Sequence, residues 1–142
     1  MLERLAGLLA GVWLGAQLTV GYVVAPVLFG HLPKAEAGDI AGVLFYVVTY
    51  IGLAAWLLVW AGRRKTGGRA TAAVKLLLVL LLLNQFAVTP VIQALKTDSS
   101  NWLLSLAGGS FGVWHGISSL IYLLCSLLGV ALVWRLNRFE WR

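Results

Sequence analysis

Charge is scarce in this 142-residue chain: 11% of its residues are ionisable Asp, Glu, Lys or Arg and 61% are hydrophobic. A soluble domain carries about 25% charged residues. The five acidic residues form no paired carboxylates, so two-carboxylate acid–base chemistry has nothing to work with. The single cysteine, Cys125, excludes an internal disulfide. With Met1 as the one methionine, the chain also lacks the soft donors that copper handling demands. There is no nucleophile–base–acid pattern and no glycine-rich phosphate loop, so the chain reads as a non-enzyme.

The missing charge has a pattern. Four stretches, roughly Leu5–Phe29, Ile40–Trp60, Ala72–Leu95 and Phe111–Trp134, hold Lys75 as their one fully charged side chain. Each has about 20 or more mostly apolar residues, enough to cross a hydrocarbon core of about 30 Å as a helix. Lipid leaves helices or a closed barrel as the spanning options. Runs such as Leu76–Leu83 do not alternate, which favours helices. The first stretch is about twice the length of a signal-peptide core and reads as a retained helix. The expectation is all-α: a single transmembrane domain over residues 1–142, folded as an up-down four-helix bundle.

The net charge of +6 is distributed by side. Arg4, Arg63, Arg64, Lys65, Arg69, Lys75, Arg135, Arg138 and Arg142 fall on one side, and Lys34 and Lys96 on the other. The positive-inside rule then places both termini and the Arg63–Arg69 loop in the cytoplasm, in a multi-pass protein of a bacterial inner membrane. No aromatic-interleaved basic surface accompanies the charge, so nucleic acid is not an expected partner.

The outer connection Gly30–Asp39 is short, with Leu32-Pro33 and Gly38 for turning. The third connection, Lys96–Ser110, begins with the polar turn Thr97-Asp98-Ser99-Ser100, which offers helix caps, and its Trp102–Leu106 segment predicts a short interfacial helix. Trp56, Trp60, Trp134 and Trp141 fall near the cytoplasmic interface, and Trp102 and Trp114 near the outer one. Small residues recur at Gly7, Gly11 and Gly15, and at Gly108, Gly112 and Gly116. Such faces serve either close packing within the bundle or a seam to a second copy or another membrane protein. No convincing internal repeat is evident.

Polarity inside the stretches is lopsided. His115, Ser118, Tyr22, Tyr46 and Thr89 lie in the outer half, and Gln17, Asn84, Gln85, Tyr50 and Tyr122 near the midplane. The inner half is almost purely aliphatic apart from Ser126. Helical spacing puts His115, Ser118/Ser119, Tyr122 and Ser126 on one stripe, and Gln85, Thr89 and Gln93 on another. Pro90 removes a backbone donor and should free the Phe86 carbonyl at a kink. Intramembrane polar groups mark interhelical bonds or a pathway. His31 and His115 both fall at the outer face and suggest a site for haem or a transition metal.

Two motifs carry a family resemblance. One runs from Ala25-Pro26-Val27-Leu28-Phe29 through Leu32-Pro33 to Gly42-Val43-Leu44-Phe45; the other is Phe111 through His115-Gly116-Ile117-Ser118-Ser119-Leu120. On these the chain resembles the transmembrane protein 205-like family, whose bacterial members form the domain-of-unknown-function group DUF4149. The resemblance implies a four-span membrane protein with its distinctive residues on one side. The functional expectation is a protein that binds or passes a small solute through an outer-facing polar pocket, lined by His115, Ser118, Ser119, Tyr122, Gln85, Thr89 and Tyr22. The alternatives are an accessory subunit that docks through its glycine faces, and a haem or metal protein using His115 and His31.

Overall fold

The computed structural model describes residues 2–63 and 68–138, and no strand occurs among them. Helix α1 covers residues 2–31 as Leu2–Thr19, a π-helical turn Val20–Val24, and Ala25–His31. Helix α2 is Lys34–Arg63. Helix α3 covers residues 68–97 as Gly68–Leu83, a π-helical turn Asn84–Val88, and Thr89–Thr97. The short α4 is Trp102–Ala107 and α5 is Phe111–Arg138. All but α4 are long and apolar enough to cross a membrane. The all-α, four-helix expectation holds. Arg64, Lys65, Thr66 and Gly67 of the expected basic loop, together with Met1, Trp141 and Arg142, lie outside the described residues.

The helices outrun the apolar stretches that announced them. Only Leu32 and Pro33 separate α1 from α2, so most of the expected Gly30–Asp39 loop is helix. Pro33 explains the start of α2: it has no N–H to leave unpaired, and its carbonyl accepts from Ala37 N–H at 2.9 Å. Glu36 sits in the first turn, where the helix dipole favours an anion. Polar residues therefore mark where α2 leaves the apolar layer, not where it begins. The short helix α4 forms as expected, but its cap is Asn101 and not the preceding turn. Asn101 Oδ1 accepts from the N–H groups of Leu103 (2.9 Å) and Leu104 (3.2 Å).

Each π-helical turn ends two residues before a proline, Pro26 in Ala25-Pro26 and Pro90 in Thr89-Pro90. Ala25 N–H reaches back to the Val20 carbonyl, and Thr89 N–H to that of Asn84. A proline ring collides with the carbonyl four residues earlier, and a wider turn relieves that collision. The kink expected at Pro90 thus takes the form of a π turn, and Pro26 has one as well.

The four long helices pack in a cycle, α1 on α2, α2 on α3, α3 on α5 and α5 on α1, which sets α1 diagonal to α3 and α2 diagonal to α5. Lipid tails are as apolar as leucine, so close packing and not hydrophobicity must hold the bundle together. Trp13 is the centre of that packing. It is fully buried, donates its indole N–H to the Val48 carbonyl at 3.0 Å, and meets Trp56 edge-on at 5.7 Å. Its ring lies in a notch between Gly52 on α2 and Gly129 on α5, where a methyl group on either glycine would press on the indole. Trp56 is itself fully buried and Trp114 nearly so, whereas Trp102 and Trp134 are exposed.

The two hairpins, α1–α2 and α3–α5, also share a pattern of burial and a π turn before an X-Pro step. Tyr22-Val23-Val24-Ala25-Pro26-Val27-Leu28 of α1 corresponds to Phe86-Ala87-Val88-Thr89-Pro90-Val91-Ile92 of α3, each against its π turn. In the same register the buried Ala10, Trp13 and Gln17 match the buried Val74, Leu77 and Leu81. Along α2 and α5 the buried Ala37, Val48, Thr49, Gly52 and Ala55 match the buried Trp114, Cys125, Ser126, Gly129 and Leu132. The hairpins α1–α2 and α3–α5 thus share a burial pattern over part of their length, although Val27 is half exposed where Val91 is fully buried. Helix α4 is an insertion in the second, where the first has Leu32-Pro33 alone.

Candidate functional site

The seven residues expected to line an outer pocket divide into separate groups. His115 is exposed and stacks on Phe111, with ring centres 5.7 Å apart and planes 9° apart. Ser119 is exposed and donates to the His115 carbonyl of its own helix at 2.9 Å, a local bond that needs no second helix. Ser118 and Gln85 are half-buried. Thr89 turns its hydroxyl back to the Asn84 carbonyl at 2.8 Å, so that oxygen, at the start of the π turn, takes two donors.

Tyr122 and Tyr22 do come together. Their rings lie 6.1 Å apart, and Phe45 of α2 meets Tyr122 edge-on at 5.1 Å. The Tyr122 hydroxyl donates to the Gln17 carbonyl of α1. Its ring lies over Gly21, inside the first π turn, where a side chain would occupy the ring's position. Tyr122 thus joins α5 to α1 through a bare stretch of backbone. Tyr46 and Tyr50 form a second aromatic pair at 4.5 Å, with Phe86 of α3 beside Tyr50 at 6.5 Å.

The histidines have modest partners. His31 is exposed, and its Nδ1 lies 2.9 Å from the Val27 carbonyl of its own helix. Among the described residues there is no group of three or more His, Cys, Asp or Glu side chains arranged to hold a metal ion.

A different constellation lies deeper. Gln17, Thr49 and Ser126 are polar yet buried, on three different helices, and Asn84 is half-buried on the fourth. Ser126 donates to the Tyr122 carbonyl at 2.9 Å. Gln17 Nε2 and Asn84 Oδ1 are enclosed without a hydrogen-bond partner. An unsatisfied buried polar group costs about 1–3 kcal/mol. Sequence reasoning placed Gln17 and Asn84 at mid-depth but not on the core face. The signal was there: Gln17 continues the four- and three-residue steps Ala6, Ala10, Trp13, all of which are buried.

A family model described as "Domain of unknown function (DUF4149)" matches residues 8–101. The chain is similar to a protein of Aquifex aeolicus (strain VF5) described as "Uncharacterized protein", with 33% identity over 117 residues that cover 80% of this chain and 86% of that one. No solved structure matches.

Proposed function

The chain belongs to the DUF4149 family, and from that premise we propose that it binds or passes a small solute entering from the outer half of its bundle. The observation that carries this reading is the contrast between the two halves. On the inner side of the midplane, Trp13 fills the bundle between Gly52 and Gly129. On the outer side, α1 and α3 each loosen into a π turn, and Tyr122, Tyr22, Thr89, Gln85 and Ser118 supply hydroxyls and an amide. Polar groups within a membrane-spanning bundle characteristically mark a pathway. In the proposed site the Tyr122 and Thr89 hydroxyls, whose protons go to the Gln17 and Asn84 carbonyls, accept from the solute through their free lone pairs, while His115 and Ser119 stand at its mouth near the outer end of α5. The orientation assumed is cytoplasmic termini in a bacterial inner membrane.

The test is reconstitution into liposomes, with uptake of urea, glycerol and acetamide followed by light scattering and equilibrium binding of each measured in detergent. The expected result is binding or flux above protein-free controls, reduced by Thr89→Val and by Tyr122→Phe. Neither binding nor flux for the wild-type chain refutes the reading.

A second reading has its own support. A Cβ added at Gly7, Gly11, Gly15 or Gly116 would meet nothing within 4 Å, so these glycines are not packing sites inside the bundle. Gly108 belongs to the turn before α5, at φ 65°. The α1 face formed by Gly7, Gly11 and Gly15 suits close approach of a second copy or another membrane protein. Gly11→Leu should then reduce the assembled fraction in mild-detergent light scattering; an unchanged mass distribution removes this reading.

A further inference from the structure

At mid-depth each long helix carries a polar residue that is buried or half-buried: Gln17, Thr49, Asn84 and Ser126. Gln17 from α1 and Asn84 from α3 come from diagonal corners of the bundle. In the register that pairs Pro26 with Pro90, Asn84 corresponds to Val20 and so stands about one turn outward of Gln17. Thr49 and Ser126, which correspond in the shared burial pattern, flank them on α2 and α5. Trp13, one turn inward from Gln17, closes the bundle axis below.

The hydrogen-bond inventory at this level is unfinished. Ser126 Oγ–H is committed to the Tyr122 carbonyl, and the Tyr122 hydroxyl to the Gln17 carbonyl. Thr89 Oγ1–H is committed to the backbone oxygen of Asn84, not to its side chain. Gln17 is 1% exposed, and its Nε2 donors have no acceptor; Asn84 Oδ1 has no donor. What is missing is one group able both to accept and to donate. None of Gln17, Thr49, Asn84 and Ser126 carries a charge, and an ion held here would need an opposite charge or several more ligands. Sites of repeat-built membrane proteins gather near the midplane beside irregular helix turns; the π turn Val20–Val24 begins three residues outward of Gln17, and Asn84 is itself the first residue of the π turn Asn84–Val88.

We propose that a small uncharged molecule occupies the axis between Gln17 and Asn84, accepting from the Gln17 amide and donating to the Asn84 amide oxygen. The chemistry is that of a hydroxyl or a primary amide, which water, a small alcohol or a small carboxamide can provide. The proposal deepens the solute-binding reading and rests on it for the idea that a solute reaches the bundle; it moves the point of recognition from the outer residues to the axis.

The test uses the full chain in lipid nanodiscs with 15N-labelled side-chain amides. Three glutamines and three asparagines give a readable spectrum. Gln17 is assigned by loss of its signal in Gln17→Met, with selective glutamine labelling of the unaltered chain as the check if that variant does not fold. Acetamide is the probe. The expected result is a Gln17 amide signal that shows contact with water without probe and shifts saturably as acetamide is added, the shift being lost in Asn84→Leu. Water contact without any acetamide response assigns the occupant as water and supports the proposal in that form. A Gln17 amide with no water contact and a direct coupling to Asn84 overturns it. Liposomes that still pass solute in that case leave the broader reading standing, whereas an occupied axis in a chain without flux or equilibrium binding of added solute overturns the broader reading alone.

Discussion

Gly52→Ala is the sharpest test of how the bundle is held. The added Cβ would fall against the Trp13 indole, 2.7 Å from Cε2 and 2.9 Å from Cδ1, with Nε1 nearer still. Those distances require a shift. The indole has little freedom to give one, since it is fully buried and tied to the Val48 carbonyl. Overpacking a filled core costs about 1–3 kcal/mol. Loss of the Trp13–Val48 hydrogen bond adds about 0.5–1.5 kcal/mol. The expected destabilisation is therefore about 2–4 kcal/mol, large for one methyl group. Unfolding by SDS titration from mild-detergent micelles measures it. Gly11→Ala, whose Cβ meets nothing within 4 Å, is the control and should change stability by at most about 0.5 kcal/mol. In the double variant Trp13→Leu/Gly52→Ala the cost of the alanine should largely vanish, a coupling that a double-mutant cycle reads directly. Equal, small effects at Gly52 and Gly11 would refute the notch as the organising contact.

Other expectations follow from the same geometry. The exchange Trp13→Leu with Leu77→Trp moves the large side chain to the equivalent position of the other hairpin; the double variant should be more stable than Trp13→Leu alone, by the same SDS titration, because the axis is refilled. Asn101→Ala removes the cap of α4 and should cost about 1 kcal/mol locally, visible as faster amide exchange at Leu103 and Leu104, which the cap now protects. Lys96→Met breaks the 3.2 Å ion pair to Asp39, whose side chain is 76% exposed. Exposed pairs contribute about 0–1 kcal/mol, so the unfolding midpoint should barely move and any difference should fade with added salt.

What the sequence made legible was the solvent. The absence of charge from four stretches predicts four helices without reference to any neighbour, and the apolar Trp102–Leu106 segment predicts α4, though not its Asn101 cap. What stayed hidden was the direction each residue faces. Leu76 is half exposed and Leu77 fully buried, yet both are leucines in one run, because lipid and core ask for the same chemistry. The burial pattern shared by the two hairpins was hidden for a related reason: Gly52 and Gly129 match by identity, but Trp13 and Leu77, or Val48 and Cys125, match only in being buried. For the site, residue counts along each helix predict Gln17 and Asn84 at mid-depth but not their burial, and His115 and Ser119 are the chemically conspicuous side chains although both are exposed. Ser119 shows why that misleads: its hydroxyl is satisfied by its own helix.

The notch around Trp13 also sets an order of assembly. Its first wall, Gly52 and the Val48 carbonyl, belongs to the same hairpin as Trp13 and leaves the ribosome soon after it. Its second wall, Gly129, lies on the last helix of the bundle. A hairpin α1–α2 that has entered the membrane alone therefore presents the indole on an open flank, half clasped and facing lipid. Only arrival of α5 encloses it. The final helix acts as a latch, and a chain truncated before Gly129 should be recognisable to membrane quality control by that uncovered ring.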